Sequence, residues 1–377
     1  MKQTAITAGF SRRTAFRIGA FGAVGVALGA DAAAAWATAP DPAPVSRQHG
    51  EDNGMLTDVP GFLVGHATLE QSVTGCTVIL CPNETTGGVE IRGGWTGTRE
   101  MDILSPLSAS PFVHAVLFTG GSTFGLAAAD GVMRWLEERA PESGVVPQVP
   151  GAVVYDLAVG ESSPRPGAED GYRACEAATS AFDRGSVGAG VGTRVGAAVP
   201  GTRRMKGGLG SASRRFGAGG VVGALAVVNA LGNVIDRDGR IVAGAYFPDG
   251  RHADMIDYLT AERVAAAGPP RSSFTTLVAV ATNAALTKTQ CAIVARMAQA
   301  GLARAVQPCF TASDGDVVVA LASGGEDASE DVVGIIAAAT VADAIRDAVR
   351  RAESRAGIAD RQTSGVRSPD DPAWAPD

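Results

Sequence analysis

The sequence predicts a layered α/β protein in which antiparallel strand pairing is substantial. Short β-rich runs bounded by Gly, Asn or Pro alternate along the chain with segments of helical periodicity. The turn Asp236-Arg-Asp-Gly239 lies between the runs 221–228 and 240–246 and is typical of a hairpin. Helices combined with hairpins favour this layered arrangement.

The predicted elements follow from local patterns. The β-rich runs lie at residues 75–81, 115–118, 152–155, 221–228, 240–246, 276–282 and 317–321. Helical patterns follow Gly125 and recur at residues 169–182, 287–305 and 329–351. Thr287 and Gln290 have the spacing of a capping box, so we expect a helix to begin there.

The composition indicates a globular protein with one large domain. The chain has 377 residues, 46% hydrophobic and 19% charged, and its net charge of −7 argues against a nucleic-acid partner, which usually needs a basic face. Neither a composition break nor a fixed-period repeat divides residues 56–359, which we interpret as one domain. Polar segments flank it, and we interpret residues 40–55 as a linker and residues 360–377 as a disordered tail.

Cysteine usage leaves the redox state open. The number of cysteines is odd, so at least one is unpaired within the chain. Because three of them lie in or beside apolar runs, we interpret them as buried thiols, while a disulfide is compatible with an oxidising compartment. The five are Cys76, Cys81, Cys175, Cys291 and Cys309.

Residues 1–39 are typical of an export signal. Arg12 and Arg13 precede an apolar run over residues 18–30, and small residues follow it. The pattern resembles a twin-arginine signal, with Phe16 one place later than usual. A membrane anchor is the alternative, but the run is shorter than the ~20 residues that span a bilayer. We therefore expect a periplasmic or secreted protein whose mature form has no membrane contact.

Two glycine-rich loops and the histidines do not form recognisable sites. The segment Gly120–Gly125 lies between a strand and a helix, yet Phe124 stands where a nucleophile elbow requires Gly. The loop Gly188–Gly192 lacks the acidic partner of a dinucleotide site. We interpret both as backbone turns, and no metal site is predicted because the histidines share no ligand spacing with a third donor. They are His49, His66, His114 and His252.

The stretch "RSSFTTLVAV" from Arg271 places four hydroxyl side chains beside the start of a strand. Thr275 is the residue at which the predicted strand begins. A threonine there is ordinary in itself, because β-branched residues favour strands. A functional interpretation of Thr275 therefore depends on other segments of the chain.

Seven segments, in order, resemble the family of L-aminopeptidase/D-amidase-esterases, which includes the nylon-oligomer hydrolases. The resemblance runs from about Gly61 to Ser323. It is carried by "GFLVGHAT", "GVEIRGGWTGTRE", "FTGGSTFGLAAADGV", "KGGLGSAS", "VVNALGN", "TTLVAVATNAALT" and "DGDVVVALA". It implies a four-layer αββα sandwich of the N-terminal-nucleophile type, with no cofactor and with assembly into homo-oligomers, commonly tetramers.

The resemblance also implies that the chain cuts itself between Phe274 and Thr275. Thr275 would become both the nucleophile and a new N-terminus. Its free α-amine, with a pKa near ~8, is suited to take the hydroxyl proton close to neutral pH. In members with a threonine nucleophile the preceding residue is usually Asn, and Phe274 departs from that pattern. Ser272 and Ser273 are alternative cut sites.

Five further site residues follow from the resemblance. Asn229 would donate its amide to the developing oxyanion, with Tyr155 lining that site. Lys206 would favour the deprotonated hydroxyl or stabilise negative charge, and Asp314 and Asp316 would orient the Thr275 amine. Four of these residues also have a structural interpretation, in which Asn229 ends a strand, Lys206 lies in a solvated loop and the aspartates form a turn.

The substrate class is open between two kinds of amide. The combination of a threonine nucleophile with an aspartate pair favours a hydrolase of linear amides, such as 6-aminohexanoate oligomers or short peptides. The alternative is an aminopeptidase that releases N-terminal amino acids, including β- or D-amino acids. A third possibility from another class is an uncleaved, inactive relative that serves as an exported binding protein.

Overall fold

The computed structural model describes residues 53–139, 146–197, 199–261 and 274–366. The chain divides into Met1–Gly50 and Glu51–Asp377, and all described residues belong to the second unit. The predicted export signal, most of the predicted linker and the tail beyond residue 366 lie outside the described residues.

Five strands form the first sheet, in the order β1-β2-β5-β6-β4. They are β1 (Leu63–Leu69), β2 (Thr74–Leu80), β4 (Thr98–Arg99), β5 (Ala115–Thr119) and β6 (Gly151–Val153). β2 pairs antiparallel with β1 and β5, while β5 and β6 are parallel. Every residue of β2 is buried, which agrees with the small and apolar residues that make up most of its sequence, TGCTVIL.

The second sheet also has five strands, in the order β3-β15-β13-β10-β9. They are β3 (Thr86–Ile91), β9 (Gly208–Phe216), β10 (Gly220–Asn229), β13 (Thr275–Ala284) and β15 (Val317–Glu326). The central strand β13 is antiparallel to β10 and parallel to β15. The last residue of β10 and the first residues of β13 and β15 therefore lie at the same edge of the sheet.

Helices cover the outer faces of both sheets. α1 (Ala128–Glu137) and α2 (Ala168–Glu176) pack on the first sheet. A short helix, α3 (Met255–Thr260), lies between β12 and β13 in the chain. α4 (Lys288–Ala303) and α5 (Glu330–Arg351) pack on the second sheet. α4 begins at the predicted capping box, where the Thr287 and Gln290 side chains bond each other's backbone N–H groups.

Side chains on the central strands alternate between two hydrophobic cores. Leu225 and Leu277 pack between the two sheets, whereas Ala226 and Val278 pack against α4 and α5. A further core lies between the first sheet and the pair α1 and α2. The layers are thus helix, sheet, sheet and helix, and the predicted αββα sandwich is confirmed.

Short strands complete the structure and correct the predicted hairpin. β11 (Asn233–Ile235) pairs with β12 (Ile241–Ala243) and β14 (Val306–Gln307), and β7 (Arg194–Val195) pairs with β8 (Met205–Lys206). The turn at Asp236 connects β11 to β12, because β10 already ends at Asn229. The prediction that this turn follows the strand at 221–228 directly is therefore wrong.

The helix predicted at 169–182 is also shorter in the structure. α2 ends at Glu176, and Thr179 then exchanges two backbone hydrogen bonds with Val64 of β1. This pairing draws the chain onto the edge of the first sheet. Among the apolar residues beyond the helix, Phe182 is buried in the core between the sheets, whereas Ala177 and Ala181 are exposed.

Part of the predicted tail belongs to the folded unit. The Asp360 carboxylate accepts hydrogen bonds from the backbone N–H groups of Ser354 and Thr363, and Val366 is buried. The prediction of disorder is therefore wrong for residues 360–366. All five cysteines are free thiols, and no described helix is long and apolar enough to cross a membrane.

Candidate active site

Thr275 is the first residue of β13 and is buried. Because side chains alternate along a strand, Thr275 lies on the same face as Leu277 and is directed toward the space between the sheets. Directly across the antiparallel pair stands Asn229, the last residue of β10. The edge at which three strand ends meet therefore holds the predicted nucleophile and one predicted partner.

Two hydrogen bonds fix the carbonyl oxygen of the peptide bond between Phe274 and Thr275. The Thr275 hydroxyl donates to the Phe274 carbonyl oxygen at 2.6 Å, and the Gly315 N–H donates to the same oxygen at 2.7 Å. The Phe274 N–H donates in turn to the Ser313 carbonyl at 3.0 Å. A backbone N–H thus lies where negative charge would develop if this carbonyl were attacked.

The position of Gly315 requires a residue without a side chain. A Cβ atom there would lie 2.5 Å from the Trp95 carbonyl oxygen and 3.1 Å from the Thr275 hydroxyl oxygen. Both separations are shorter than ordinary contacts between these atoms. Glycine therefore allows the 313–315 loop to approach the Phe274 carbonyl closely.

Asp314 and Asp316 lie in the loop before β15 and are both buried. Asp314 accepts hydrogen bonds from the N–H and hydroxyl of Thr311, at 2.8 and 2.6 Å. Asp316 accepts from the Thr276 N–H at 2.6 Å and from the Phe310 N–H at 3.1 Å. Burial raises the pKa of both carboxyls, and the charge of Asp314 raises that of Asp316 further.

The Asn229 side chain is fixed at both ends. Its amide nitrogen donates to the Tyr155 carbonyl at 3.2 Å, and its amide oxygen accepts from the Arg194 N–H at 3.0 Å. An Asn amide has two N–H groups, and one of them is used in this contact. Tyr155 thus contacts Asn229 through its backbone, just after β6 of the first sheet.

Lys206 is fully buried, so its interpretation as a residue of a solvated loop is wrong. Its ammonium group donates to the carbonyl oxygens of Val191 and Thr193. Burial lowers the pKa of Lys206 to about 7, while the charge of Asp156 opposes that change and the charge of Arg194 adds to it. A lysine with such a pKa can exchange a proton near neutral pH, but its described hydrogen bonds do not include Thr275.

A cavity of about 320 Å³ adjoins these residues. The Phe274 ring lies against it, with the Arg204 guanidinium 5.6 Å from the centre of the ring. Besides these two, its lining consists of Tyr155, Ala158, Arg194, Ala197 and Asn229. A substrate in this cavity would therefore be close to the end of β10 and to the peptide bond that precedes Thr275.

The structure brings most of the predicted residues together and adds others. Thr275 and Asn229 face each other where β10 ends and β13 begins, and Asp314 and Asp316 lie in the loop beside them. Lys206 pairs with Arg194, whose N–H contacts Asn229, and no described contact joins its side chain to Thr275. Gly315, Arg194 and Arg204 were missed by sequence reasoning. Gly315 was interpreted only as part of the turn between Asp314 and Asp316. Arg194 and Arg204 were not singled out, because arginines near other charged residues are typical of a solvated surface. Among the described residues no group of His, Cys, Asp and Glu side chains is arranged to hold a metal ion.

Comparison with known proteins decides the family. The model of peptidase family S58 matches residues 54–363, which is most of the chain. The chain belongs to peptidase family S58. It is therefore a hydrolase that acts on amide bonds, as the resemblance to L-aminopeptidase/D-amidase-esterases implied.

Relatives within the family carry two kinds of name. An uncharacterized aminopeptidase of Mycobacterium leprae is 43% identical over 347 residues, which cover 80% of this chain and 92% of the relative. A 6-aminohexanoate-oligomer endohydrolase of a Kocuria species is 32% identical over 272 residues, which cover 70% of this chain and 73% of the relative. Both names agree with amide hydrolysis and differ in substrate.

Solved structures confirm the fold. A β-aminopeptidase from a Burkholderia species superposes with a TM-score of 0.64 at 23% identity, covering 83% of this chain and 91% of its own. The L-aminopeptidase D-Ala-esterase/amidase of Ochrobactrum anthropi gives a TM-score of 0.62 at 22% identity, covering 82% and 90%. The latter is described as a variant of the Ntn hydrolase fold.

Proposed function

We propose that this protein is a self-processing amide hydrolase in which Thr275 is first the agent of cleavage and then the catalytic nucleophile. The observation that carries the proposal is the pair of contacts at the Phe274 carbonyl oxygen, 2.6 Å from the Thr275 hydroxyl oxygen and 2.7 Å from the Gly315 nitrogen. A nucleophile and an oxyanion donor thus meet at one peptide bond.

Self-cleavage would proceed through an ester. The Thr275 oxygen attacks the Phe274 carbonyl carbon, the carbon–nitrogen bond breaks, and the hydroxyl proton passes to the departing nitrogen. Water then hydrolyses the ester, which leaves a carboxyl group on Phe274 and a free amine on Thr275. The Gly315 N–H would stabilise the oxyanion in the first step.

The buried aspartates support the second role of Thr275. Neither Asp314 nor Asp316 forms an ion pair with a Lys or Arg of the described residues, although burying two neighbouring carboxylates without a cation is costly. Cleavage would create a cation one residue from the Thr276 N–H that Asp316 already holds. The aspartates would hold this amine in place, and its neutral form, after loss of the extra proton to solvent, would be the base that takes the hydroxyl proton.

The remaining residues have roles in the hydrolysis of substrate. The second N–H of Asn229 would donate to the oxyanion of the substrate, next to the position that Tyr155 lines. Lys206, with a pKa of about 7, would stabilise negative charge or favour the deprotonated hydroxyl. In each turnover the substrate's acyl group passes to Thr275, its amine departs, and water releases the acid.

For the substrate we propose linear, unbranched amides of the 6-aminohexanoate-oligomer kind or short peptides. The 32% identity to the Kocuria endohydrolase and the threonine with its aspartate pair support this class. The second candidate is an aminopeptidase, which is supported by the name of the 43% identical Mycobacterium relative. Export through the N-terminal signal and assembly into a homo-oligomer belong to the same proposal.

Four variants test the nucleophile. Thr275→Ala should abolish both self-cleavage and hydrolysis of linear amides, whereas Thr275→Ser should retain both at reduced rates. Ser272→Ala and Ser273→Ala remove hydroxyls at the alternative cut sites and should leave both activities intact. The measurements are the fraction of cut chain by intact mass and the rate of amide hydrolysis. An active, still-cut Thr275→Ala variant would contradict the assignment.

A further inference from the structure

Lysine is rare in this chain, and both lysines of the described residues are bound by backbone carbonyls. The 32 basic residues include only three lysines, which are Lys2, Lys206 and Lys288. Lys206 is buried and donates to two carbonyl oxygens, and Lys288 donates to three. Arginine keeps its proton in proteins, whereas a buried lysine can release it. Lysine at position 206 therefore places a titratable cation beside the candidate site.

The Lys206 ammonium group has no carboxylate among its described hydrogen-bond partners. Both of its acceptors are neutral backbone carbonyls. The charged groups of the described residues that act on it are Asp156, Arg194 and Arg355. The two arginines favour the neutral amine, as burial does, and Asp156 favours the ammonium form. The charge state of Lys206 therefore depends on a carboxylate to which it forms no described hydrogen bond.

Two glycines allow the Asp156 carboxylate to lie against the turn that binds Lys206. Gly192 stands between the two residues whose carbonyls accept from the ammonium group, and a Cβ atom at Gly192 would lie 2.6 Å from Oδ2 of Asp156. A Cβ atom at Gly120 would lie still closer to the same oxygen. Both glycine-rich segments of the sequence thus border one buried carboxylate.

Hydrogen bonds hold the Asp156 carboxylate in this position. Its two oxygens accept from the Thr74 hydroxyl and from the Gly121 N–H, both at 2.7 Å. Burial raises the pKa of Asp156, while these hydrogen bonds and the charge of Lys206 oppose that change. Because both donors are neutral, they favour the carboxylate form without cancelling its charge. Asp156 can therefore serve as the counter-charge of the buried lysine.

The same two segments hold the side chain of Asn229. Tyr155, the neighbour of Asp156, accepts a hydrogen bond from the Asn229 amide nitrogen at 3.2 Å. Arg194, which follows the turn that binds Lys206, donates its backbone N–H to the Asn229 amide oxygen at 3.0 Å. Asp156 thus lies where the backbone supports of two predicted site residues meet.

We propose that Asp156 is a positioning residue that keeps Lys206 positively charged at neutral pH during the hydrolysis of substrate. The inference rests on the proposed function, in which Lys206 stabilises negative charge or favours the deprotonated hydroxyl of Thr275. Both roles require the ammonium form. Asp156 acts through Lys206, so loss of its charge should lower the pKa of Lys206 and reduce the fraction of enzyme that carries the cation.

An NMR titration of the lysines measures this effect independently of activity. Protein labelled with ¹³C at the lysine ε-carbon gives at most three signals, and Lys206→Met identifies the signal of Lys206. Asp156→Asn removes the charge, while its amide can still accept from the Gly121 N–H and donate to the Thr74 hydroxyl. The midpoint of the Lys206 titration should fall by about 1 pH unit or more. Lys288, whose pKa is lowered by burial, is the internal control, and its midpoint should not move.

The pH dependence of kcat for a linear amide distinguishes the charge of Asp156 from a structural role. At about pH 8 the kcat of cut Asp156→Asn should be about 10-fold below that of the wild type, because fewer molecules carry the Lys206 cation. At about pH 5.5 Lys206 is protonated in both proteins, and kcat should agree within about 2-fold. A purely structural role would lower kcat by the same factor at both pH values. Asp130→Asn removes an exposed carboxylate that pairs with Arg99, and this matched control should keep the wild-type kcat.

The outcomes separate the inference from the proposed function. An unchanged Lys206 midpoint in Asp156→Asn, or an equal loss of kcat at both pH values, would overturn the inference and leave the hydrolase intact. If Asp156→Asn does not fold, its combination with Lys206→Met should fold, because an uncharged pair needs no compensation. Failure of that double variant to fold would also overturn the inference. If cut wild-type protein hydrolyses no linear amide, the proposed function itself fails, and with it the role of Asp156 in hydrolysis.

Discussion

Replacing Gly315 by alanine should slow self-cleavage strongly, because the new methyl group would push away the N–H that contacts the Phe274 carbonyl. The added Cβ would lie 2.5 Å from the Trp95 carbonyl oxygen, and ordinary contact begins at 3.4 Å. The loop must therefore shift by roughly 0.9 Å, the difference between these two distances. A shift of that size along the present 2.7 Å hydrogen bond would break it.

The expected magnitude follows from the role of the donor. Loss of one oxyanion donor typically reduces a rate by about 10²- to 10³-fold. We would synthesise the wild type and Gly315→Ala in a cell-free system, stop synthesis, and follow the fraction of cut chain by intact mass over time. The half-life of the uncut chain should lengthen by about that factor.

A matched control separates this effect from a general effect of alanine. Gly167 has a negative φ of −129°, and a Cβ atom there would meet no atom within 4 Å. Gly167→Ala should therefore be cut at the wild-type rate. Circular dichroism would verify that both variants are folded. A folded Gly315→Ala variant that is cut as fast as the wild type would refute the role of the Gly315 N–H.

Three further predictions concern neighbouring residues. Asn229→Ala should leave a folded protein whose kcat for linear amides is about 10²-fold lower, as measured by steady-state kinetics, whereas an unchanged kcat would exclude Asn229 as the oxyanion donor. Lys206→Met removes a group with a pKa of about 7 in the folded protein and 10.5 ordinarily. Because the unfolded chain binds the extra proton between these values, the unfolding free energy of the wild type should rise relative to the variant by up to ~1.4 kcal/mol per pH unit from pH 7 to 10 in urea titrations; parallel curves would contradict the burial argument. Phe274→Asn introduces the residue that the resemblance leads us to expect before a threonine nucleophile, and it should be cut at least as fast as the wild type in the cell-free assay; a slower cut would indicate that the Phe274 ring positions the peptide bond.

The local elements of this protein could be predicted because their signals are local. The capping box at Thr287 and the strand that begins at Thr275 depend on a few neighbouring residues, and the structure confirms both. The end of the helix at Glu176 could not be predicted in the same way, because the pairing of Thr179 with Val64 decides it. That contact joins residues more than a hundred positions apart.

In the candidate site, too, some features follow from sequence patterns and others depend on contacts between distant residues. The seven segments identified the family, and the resemblance proposes Thr275 as the nucleophile together with its predicted partners. The burial of Lys206 and the shared cavity of Arg194 and Arg204 depend on the pairing of two-residue strands, which leave almost no pattern in the sequence. Gly315 was visible only as part of a turn, because the contact that requires glycine comes from the Trp95 carbonyl, far away in the chain.

The most direct test of the central claim is the intact mass of the purified, denatured protein, together with N-terminal sequencing of any second fragment. Self-processing at Thr275 predicts a 103-residue fragment that spans Thr275 to Asp377 and is absent from the Thr275→Ala variant. A single uncut wild-type chain that hydrolyses no amide, or a fragment that begins at Ser272 or Ser273, would contradict the assignment of Thr275 as nucleophile.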